Sequence, residues 1–234
     1  MAILAALKSL HIGEVLKWAP EYAAELVRHR LDRFDSIHGT STNSAVSAGD
    51  IDGLGDHQAS GELYWPVRER PFARMMSALP INLRDFCFTD IGCGKGRALL
   101  LASTHPFAKI VGIEYSSWLC DLAKHNLQVF RAGKVLSCND IEVQCEDATG
   151  YRFPDLPLVV FFFDPFGADV MRRVIENLNR SLQASPRPCF VIYQLPMHHK
   201  VIMDLGYSIV ARQTRGLHLR YPWVILKPTA QGSD

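Results

Sequence analysis

The residues best suited to chemistry fall in one short run, Asp90-Ile91-Gly92-Cys93-Gly94-Lys95-Gly96, and at three acidic positions after it, Glu114, Asp147 and Asp164. The run follows the strand-like Cys87-Phe88-Thr89 and precedes the helical Arg97-Ala98-Leu99-Leu100-Leu101-Ala102, so it reads as strand, glycine loop and helix. The glycines remove Cβ atoms and permit tight backbone, and the helix start presents unpaired N–H donors. The loop should therefore approach a nucleotide-type ligand closely. Two such ligands fit poorly. The dinucleotide fingerprint needs a small residue three positions after its second glycine, where this chain has Arg97. No G-x-x-x-x-G-K-S/T run exists, which excludes a P-loop.

Asp90 sits at the carboxyl end of the first strand, where open α/β sheets bind ligands, and a carboxylate there suits a cationic group. Glu114 comes 20 residues after Gly94 and ends Ile110-Val111-Gly112-Ile113-Glu114, with Tyr115 next. This is the ribose position, where one carboxylate accepts from both hydroxyls. In Cys145-Glu146-Asp147-Ala148 the Asp147 carboxylate suits an exocyclic adenine amine. Asp164-Pro165-Phe166-Gly167 follows the apolar Val159-Val160-Phe161-Phe162-Phe163 and brings a carboxylate, a proline carbonyl and an aromatic ring to a strand mouth, where they would orient a nucleophile. The other reading of that motif makes Asp164 the cap of a helix beginning near Asp169 and Phe166 a core residue.

Taken in order, the loop, Glu114, Asp147 and Asp164-Pro165-Phe166-Gly167 resemble the motifs of class I S-adenosylmethionine-dependent methyltransferases, over about Phe86 to Leu226. The resemblance implies a seven-stranded, mostly parallel sheet. It implies that Asp90, Gly92, Cys93, Gly94 and Gly96 lie against the methionine part of the cofactor, Glu114 and Tyr115 against the ribose, and Asp147 and Ala148 against the adenine. Asp164, Pro165 and Phe166 would form the reaction site, with Asp164 also near the cofactor. In the amine-methylating branch the last motif is Asp/Asn-Pro-Pro-Tyr/Phe; here the second proline is missing and Phe166 stands one position early. A narrower set, Arg33-Phe34-Asp35, His38-Gly39, Tyr64 before Pro66, and Gly94-Lys95-Gly96, resembles a group of uncharacterised bacterial methyltransferases and implies no substrate.

Methyl transfer from an activated sulfonium needs alignment and dryness more than a dedicated nucleophile. His198 and His199, just past the fifth strand, are the base candidates for a hydroxyl or carboxylic acceptor; Tyr64 and Trp65 either close over the cofactor or pack in the core. The acceptor itself is open: an N- or O-nucleophile on a small molecule, a peptide or a protein side chain. Two other functions stay in view, an aminopropyltransferase on the same fold and a catalytically silent S-adenosylmethionine-binding module.

The elements that must position these residues alternate from Phe86 onward: Phe86–Asp90, Gly96–Ser103, Ile110–Glu114, Ser117–Phe130, Ile141–Cys145, Leu158–Phe163, Asp169–Leu182 and Cys189–Gln194. That alternation predicts parallel βαβ units and an α/β, Rossmann-like domain. Met171, Val174, Ile175, Leu178 and Leu182 recur at helical spacing and should cover one face of the sheet. Tyr207–Thr214 and Leu219–Leu226 flank Arg215-Gly216 and read as a closing antiparallel hairpin. Upstream, the spacing of Ala23, Leu26, Val27, Leu31 and Phe34 predicts a helix from Pro20 to Phe34, with another before it, and the Gly/Ser/Thr/Asn/Asp-rich stretch from His38 to Gly61 reads as a connector or a lid. The organisation expected is residues 1–61 as helices and polar loop and 62–234 as the methyltransferase domain.

The chain has 234 residues, 48% of them hydrophobic and 21% charged, enough for one sizeable core. Its 25 basic and 24 acidic residues leave a net charge of +1, so no global field favours nucleic acid or a membrane surface. Arg212, Arg215, Arg220 and Lys227 read as ordinary solvated charges. Six cysteines without a C-x-x-C pair argue against zinc and for a reducing compartment, hence a cytoplasmic protein with no metal. Met1 to Leu10 lacks the basic start of a signal peptide, and Leu156 to Phe163 is too short and proline-broken for a membrane helix. Among partners, only self-association through the N-terminal helices is suggested.

Overall fold

A computed structural model describes residues 31–43, 66–213 and 222–229. Seven strands form one sheet: β1 (Cys87–Ile91), β2 (Lys109–Glu114), β3 (Ile141–Cys145), β4 (Leu158–Phe163), β5 (Cys189–Gln194), β6 (Tyr207–Gln213) and β7 (Trp223–Pro228), in the order β3-β2-β1-β4-β5-β7-β6. The first five are parallel, and β7 inserts antiparallel between β5 and β6. The expected α/β sheet and its closing hairpin are thus both present. The last strand runs Trp223–Pro228, and the expected start at Leu219 and the turn at Arg215-Gly216 lie outside the described residues.

Because helices cover both faces, the central strands are apolar on both sides instead of alternating, as Leu158–Phe163 shows. Its even and odd positions feed two cores. Val159 and Phe161 join Phe88, Ile192 and Ile225 under α2 (Glu69–Ser77), α3 (Arg97–Ala102) and α4 (Ser117–Gly133). Leu158, Val160 and Phe162 join Val191, Tyr193 and Leu226 under α5 (Ala168–Ala184) and α6 (His199–Asp204). On α5 the predicted stripe is real: Met171, Val174, Ile175 and Leu178 are fully buried, worth roughly 1.5–3 kcal/mol each in apolar surface removed from water. α2 carries the same signal in Phe72, Met75 and Met76.

The helix expected from Pro20 to Phe34 is corrected at its end. Phe34 opens a separate short helix, α1 (Phe34–His38), after a break at residues 32 and 33; the rest of that span, and the helix before it, lie outside the described residues. The break has a cause: Asp32 Oδ1 accepts from the Phe34 N–H at 2.9 Å, a local bond that competes with continued helix. Gly39, at φ 70°, ends α1, and residues 40–43 continue against the domain; the remainder of the expected lid, to Gly61, is outside the described residues. Among the described residues no helix is long and apolar enough to cross a membrane, and no group of three His, Cys, Asp or Glu side chains could hold a metal ion.

Candidate active site

β1, β2 and β4 lie side by side and end together, which brings the acidic positions of the sequence to one edge of the sheet. Asp90 pairs in register with Gly112 of β2 and Phe161 of β4, Glu114 pairs with Cys145 of β3, and Asp147 follows two residues on. Gly112 has to be glycine, since a Cβ there would stand 2.6 Å from Leu99 Cδ1 and 2.9 Å from Cys93 Sγ.

The glycine loop differs from the expected donor-presenting cradle. The N–H groups of Gly92 and Cys93 both donate to Ile113 O at 2.9 Å, Gly94 N–H to Glu114 Oε2 at 2.9 Å, and Gly96 N–H to Cys93 O at 2.8 Å. Those four donors are consumed within the protein, so the loop edge is acceptor-rich. Glu114 ties the arrangement together, taking Gly94 on one oxygen and Ser116 N–H on the other at 2.9 Å. Burial pushes its carboxyl above the usual range, although the backbone N–H groups of Ser116, Gly94 and Tyr115 pull the other way. Asp90 is fully enclosed and held well above its ordinary value, first by burial and then by the neighbouring Glu114 charge. No ion pair reaches Asp90 among the described residues.

Arg97 explains why the dinucleotide fingerprint is broken. Only 1% exposed, it turns away from the loop's ligand edge and grips the N-terminal segment. Its guanidinium lies 3.2 Å from Asp32 Oδ2, 3.4 Å from Asp35 Oδ1 and 4.0 Å from the centre of the Phe34 ring, and its Nε donates to Thr42 Oγ1. Asn126 of α4 completes the clasp, accepting from Ser41 N–H and donating to Lys95 O. Sequence reasoning noticed Arg97 but not its partners. The legible signal was Asn126, an amide on the apolar stripe of Leu119, Ala123, Leu127 and Phe130.

At the mouth of β4, Asp164 adopts φ 42°, a left-handed conformation costly for a residue with a side chain. Tyr193 of β5, fully buried, donates its hydroxyl to Asp164 Oδ1 at 2.6 Å. Asp164 is not a helix cap: α5 begins after Gly167, with no side-chain cap. Phe166 packs against the second core, 6.1 Å from Phe162 and edge-on. Pro165 leans on the glycine loop. Asp147 accepts from Thr149 N–H at 2.8 Å within its own turn, with Ala148 packed on the second core; Tyr115 is exposed. His199 Nδ1 lies 2.7 Å from Pro196 O, which requires the Nδ1–H tautomer, and the His198 N–H donates to the Tyr193 hydroxyl at 3.4 Å. Tyr64 and Trp65 lie outside the described residues.

Residues 88–185 match the profile of a family described as a methyltransferase domain. Solved structures of similar fold include the ribosomal protein L11 methylase of Lactobacillus delbrueckii subsp. bulgaricus (16% identity, 69% of this chain and 78% of that one, TM-score 0.50). Another is the magnesium protoporphyrin IX methyltransferase of Synechocystis PCC 6803 with bound S-adenosylmethionine (17%, 69% and 79%, TM-score 0.51). A third is a tRNA methyltransferase of B. subtilis (14%, 72% and 68%, TM-score 0.50). None of the curated proteins matches the chain in sequence. The sheet order β3-β2-β1-β4-β5-β7-β6 and the matched segment agree on a Rossmann-like fold whose residues 88–185 are similar to a methyltransferase domain.

Proposed function

We propose that this domain methylates a nitrogen or oxygen nucleophile presented at the mouth of β4. The observation that carries the reading is the character of the loop edge: four amides turned inward and a buried Asp90 with no cation on it among the described residues. Such an edge lacks the convergent donors that a phosphate needs and offers acceptors to a positively charged amino-acid moiety. S-adenosylmethionine, when bound, supplies an electrophilic methyl on a cationic sulfur. Asp90 with Gly92, Cys93, Gly94 and Gly96 would hold its methionine end, Glu114 and Tyr115 its ribose, Asp147 and Ala148 its adenine, with Tyr64 and Asp164 closing the site. Glu114 keeps its grip on Gly94 and Ser116 while doing so, since a carboxylate has about four acceptor positions.

On the acceptor side, Asp164, Pro165 and Phe166 orient the nucleophile. Asp164, aimed by Tyr193, accepts from its N–H or O–H and so points a lone pair toward the methyl. The protein's remaining work is alignment to about 3–3.5 Å and exclusion of water. Calorimetry tests the reading: S-adenosylmethionine and S-adenosylhomocysteine should bind, NAD should not, and Gly94→Arg should abolish binding. Equal affinity for NAD, or no binding of either S-adenosyl compound, would overturn it. Labelled methyl donor incubated with cell extract then tells whether the acceptor is macromolecular or small.

A further inference from the structure

We propose that Gln194 selects the methyl acceptor, its side-chain carbonyl taking a hydrogen bond from an N–H or O–H carried by a flat aromatic molecule. Gln194 is the last residue of β5 and is 1% exposed, and its Oε1 has no hydrogen-bond partner among the described residues. A buried amide oxygen keeps its demand for a donor, and a folded protein retains an orphan of this kind where something else supplies one. The register says what surrounds it. Phe163 of β4 pairs with Gln194, Gln194 with Trp223 of β7, and Trp223 with Gln213 of β6. Paired residues share a face of the sheet with strands about 4.8 Å apart, so an aromatic ring is rooted on each side of the amide. The one indole donor in the row is already given to Gln213 Oε1 at 3.2 Å.

The row is also the end of the sheet. Asp164 follows Phe163 and Leu195 follows Gln194, both at positive φ, 42° and 54°, and the Leu195 N–H is fixed on Pro222 O at 2.8 Å. Gln194 is therefore paired one position before Asp164 on the strand beside it, at the end of the sheet, with its row on the face of the first core and the Tyr193 that holds Asp164 on the face of the second. Resting on the methyl-transfer reading above, this identifies the acceptor class as a phenol, an aryl amine or a heteroaromatic N–H: a face for the rings and a donor for the amide.

The test uses ligand-observed NMR on the full chain, with and without S-adenosylhomocysteine, with phenol, aniline, toluene and butylamine as probes. Phenol and aniline should bind at least tenfold more tightly than toluene and butylamine, and Gln194→Met should erase that preference while leaving S-adenosylhomocysteine affinity unchanged and raising the melting temperature. Equal binding of phenol and toluene, preference for butylamine, no binding of any probe, or an unaltered preference in Gln194→Met would overturn the proposal. The comparison among probes on the unaltered chain decides even if the variant does not fold. If the preference holds but S-adenosylhomocysteine does not bind, the methyl-transfer reading fails and the aromatic site at Gln194 stands.

Discussion

Pro165 lies over Gly92 so closely that a Cβ on that glycine would stand 2.6 Å from the proline Cβ. The glycine loop after β1 and the Asp164-Pro165-Phe166-Gly167 motif after β4 are therefore in direct contact, and one cannot shift without the other.

Gly92→Ala meets this contact and a second obstacle, a φ of 77°. The left-handed backbone alone costs roughly 1–2 kcal/mol for a residue with Cβ. We expect a lower melting temperature and at least a tenfold loss of methyl transfer to whichever acceptor the labelling identifies. Gly133→Ala, with nothing within 4 Å of the new atom, should be neutral or slightly stabilising. Equal effects of the two changes would show that the Gly92 contact carries no weight.

Asp90 should behave as a residue kept for binding at a cost to stability. Its carboxyl is raised in the folded chain, so the native state binds protons more tightly than the unfolded one, and the contribution of this group to stability falls as pH rises above about 4. A bound cation reverses the preference. Asp90→Asn should raise the melting temperature of the ligand-free protein at pH 7 and weaken S-adenosylmethionine at least tenfold. Binding to the unaltered chain should release protons, seen as a calorimetric enthalpy that varies with the ionisation heat of the buffer. A melting temperature that drops in Asp90→Asn, with affinity intact, would contradict this role.

Arg97 predicts the opposite kind of loss. Removing one partner of a buried pair costs about 3–5 kcal/mol because it strands the other charge, so Arg97→Met should be severely destabilising, and adding Asp32→Asn and Asp35→Asn should recover part of the loss. Burial pushes the Asp35 carboxyl up, yet the hydroxyls of Thr40 and Thr42, the Asn43 N–H and the Arg97 charge outweigh it and leave its value lowered. Its stabilising contribution is thus present above about pH 4 and is lost as pH falls through the lowered value. Hydrogen exchange at residues 40–43 should accelerate in acid before the β1 and β4 amides follow; simultaneous release would show that the clasp has no separate opening.

These contacts mark where the sequence stopped being readable. β4 and β5 were placed to the residue because their apolar runs, buried on both faces, are bounded by polar or proline-bearing turns, and β3 because Ile141, Val143 and Cys145 alternate with Glu142 and Gln144. Glu114 and Asp164 were found because strand ends can be counted. The inward turn of the loop amides was not legible, since it depends on Ile113 O and the Glu114 carboxylate arriving from the neighbouring strand. The partners of Arg97 lie 55 to 65 residues away in sequence, and Tyr193 is separated from Asp164 by 29. No local pattern reports a pairing across such distances. Gln194 looked like the end of an apolar strand; only the loss of every partner for its oxygen sets it apart.

Tyr193→Phe tests whether Asp164 must be aimed. The phenol hydroxyl holds Asp164 Oδ1 at 2.6 Å, and a residue at φ 42° has its side chain placed by that bond and by the turn. Without the hydroxyl the carboxylate gains rotational freedom, and the His198 N–H loses the same oxygen. The net hydrogen-bond contribution to folding is about 1 kcal/mol, so a change of a few degrees in melting temperature is expected. Catalysis should suffer more, with kcat down tenfold to a hundredfold and S-adenosylmethionine affinity changed much less, because Asp90, Glu114 and the loop are untouched and Asp164 only closes the cofactor site. Asp164→Asn keeps an acceptor oxygen in place and should retain more activity than Asp164→Ala. If Tyr193→Phe lowered affinity for S-adenosylmethionine and kcat together, Tyr193 would be acting on the cofactor loop through Pro165 instead of on the nucleophile.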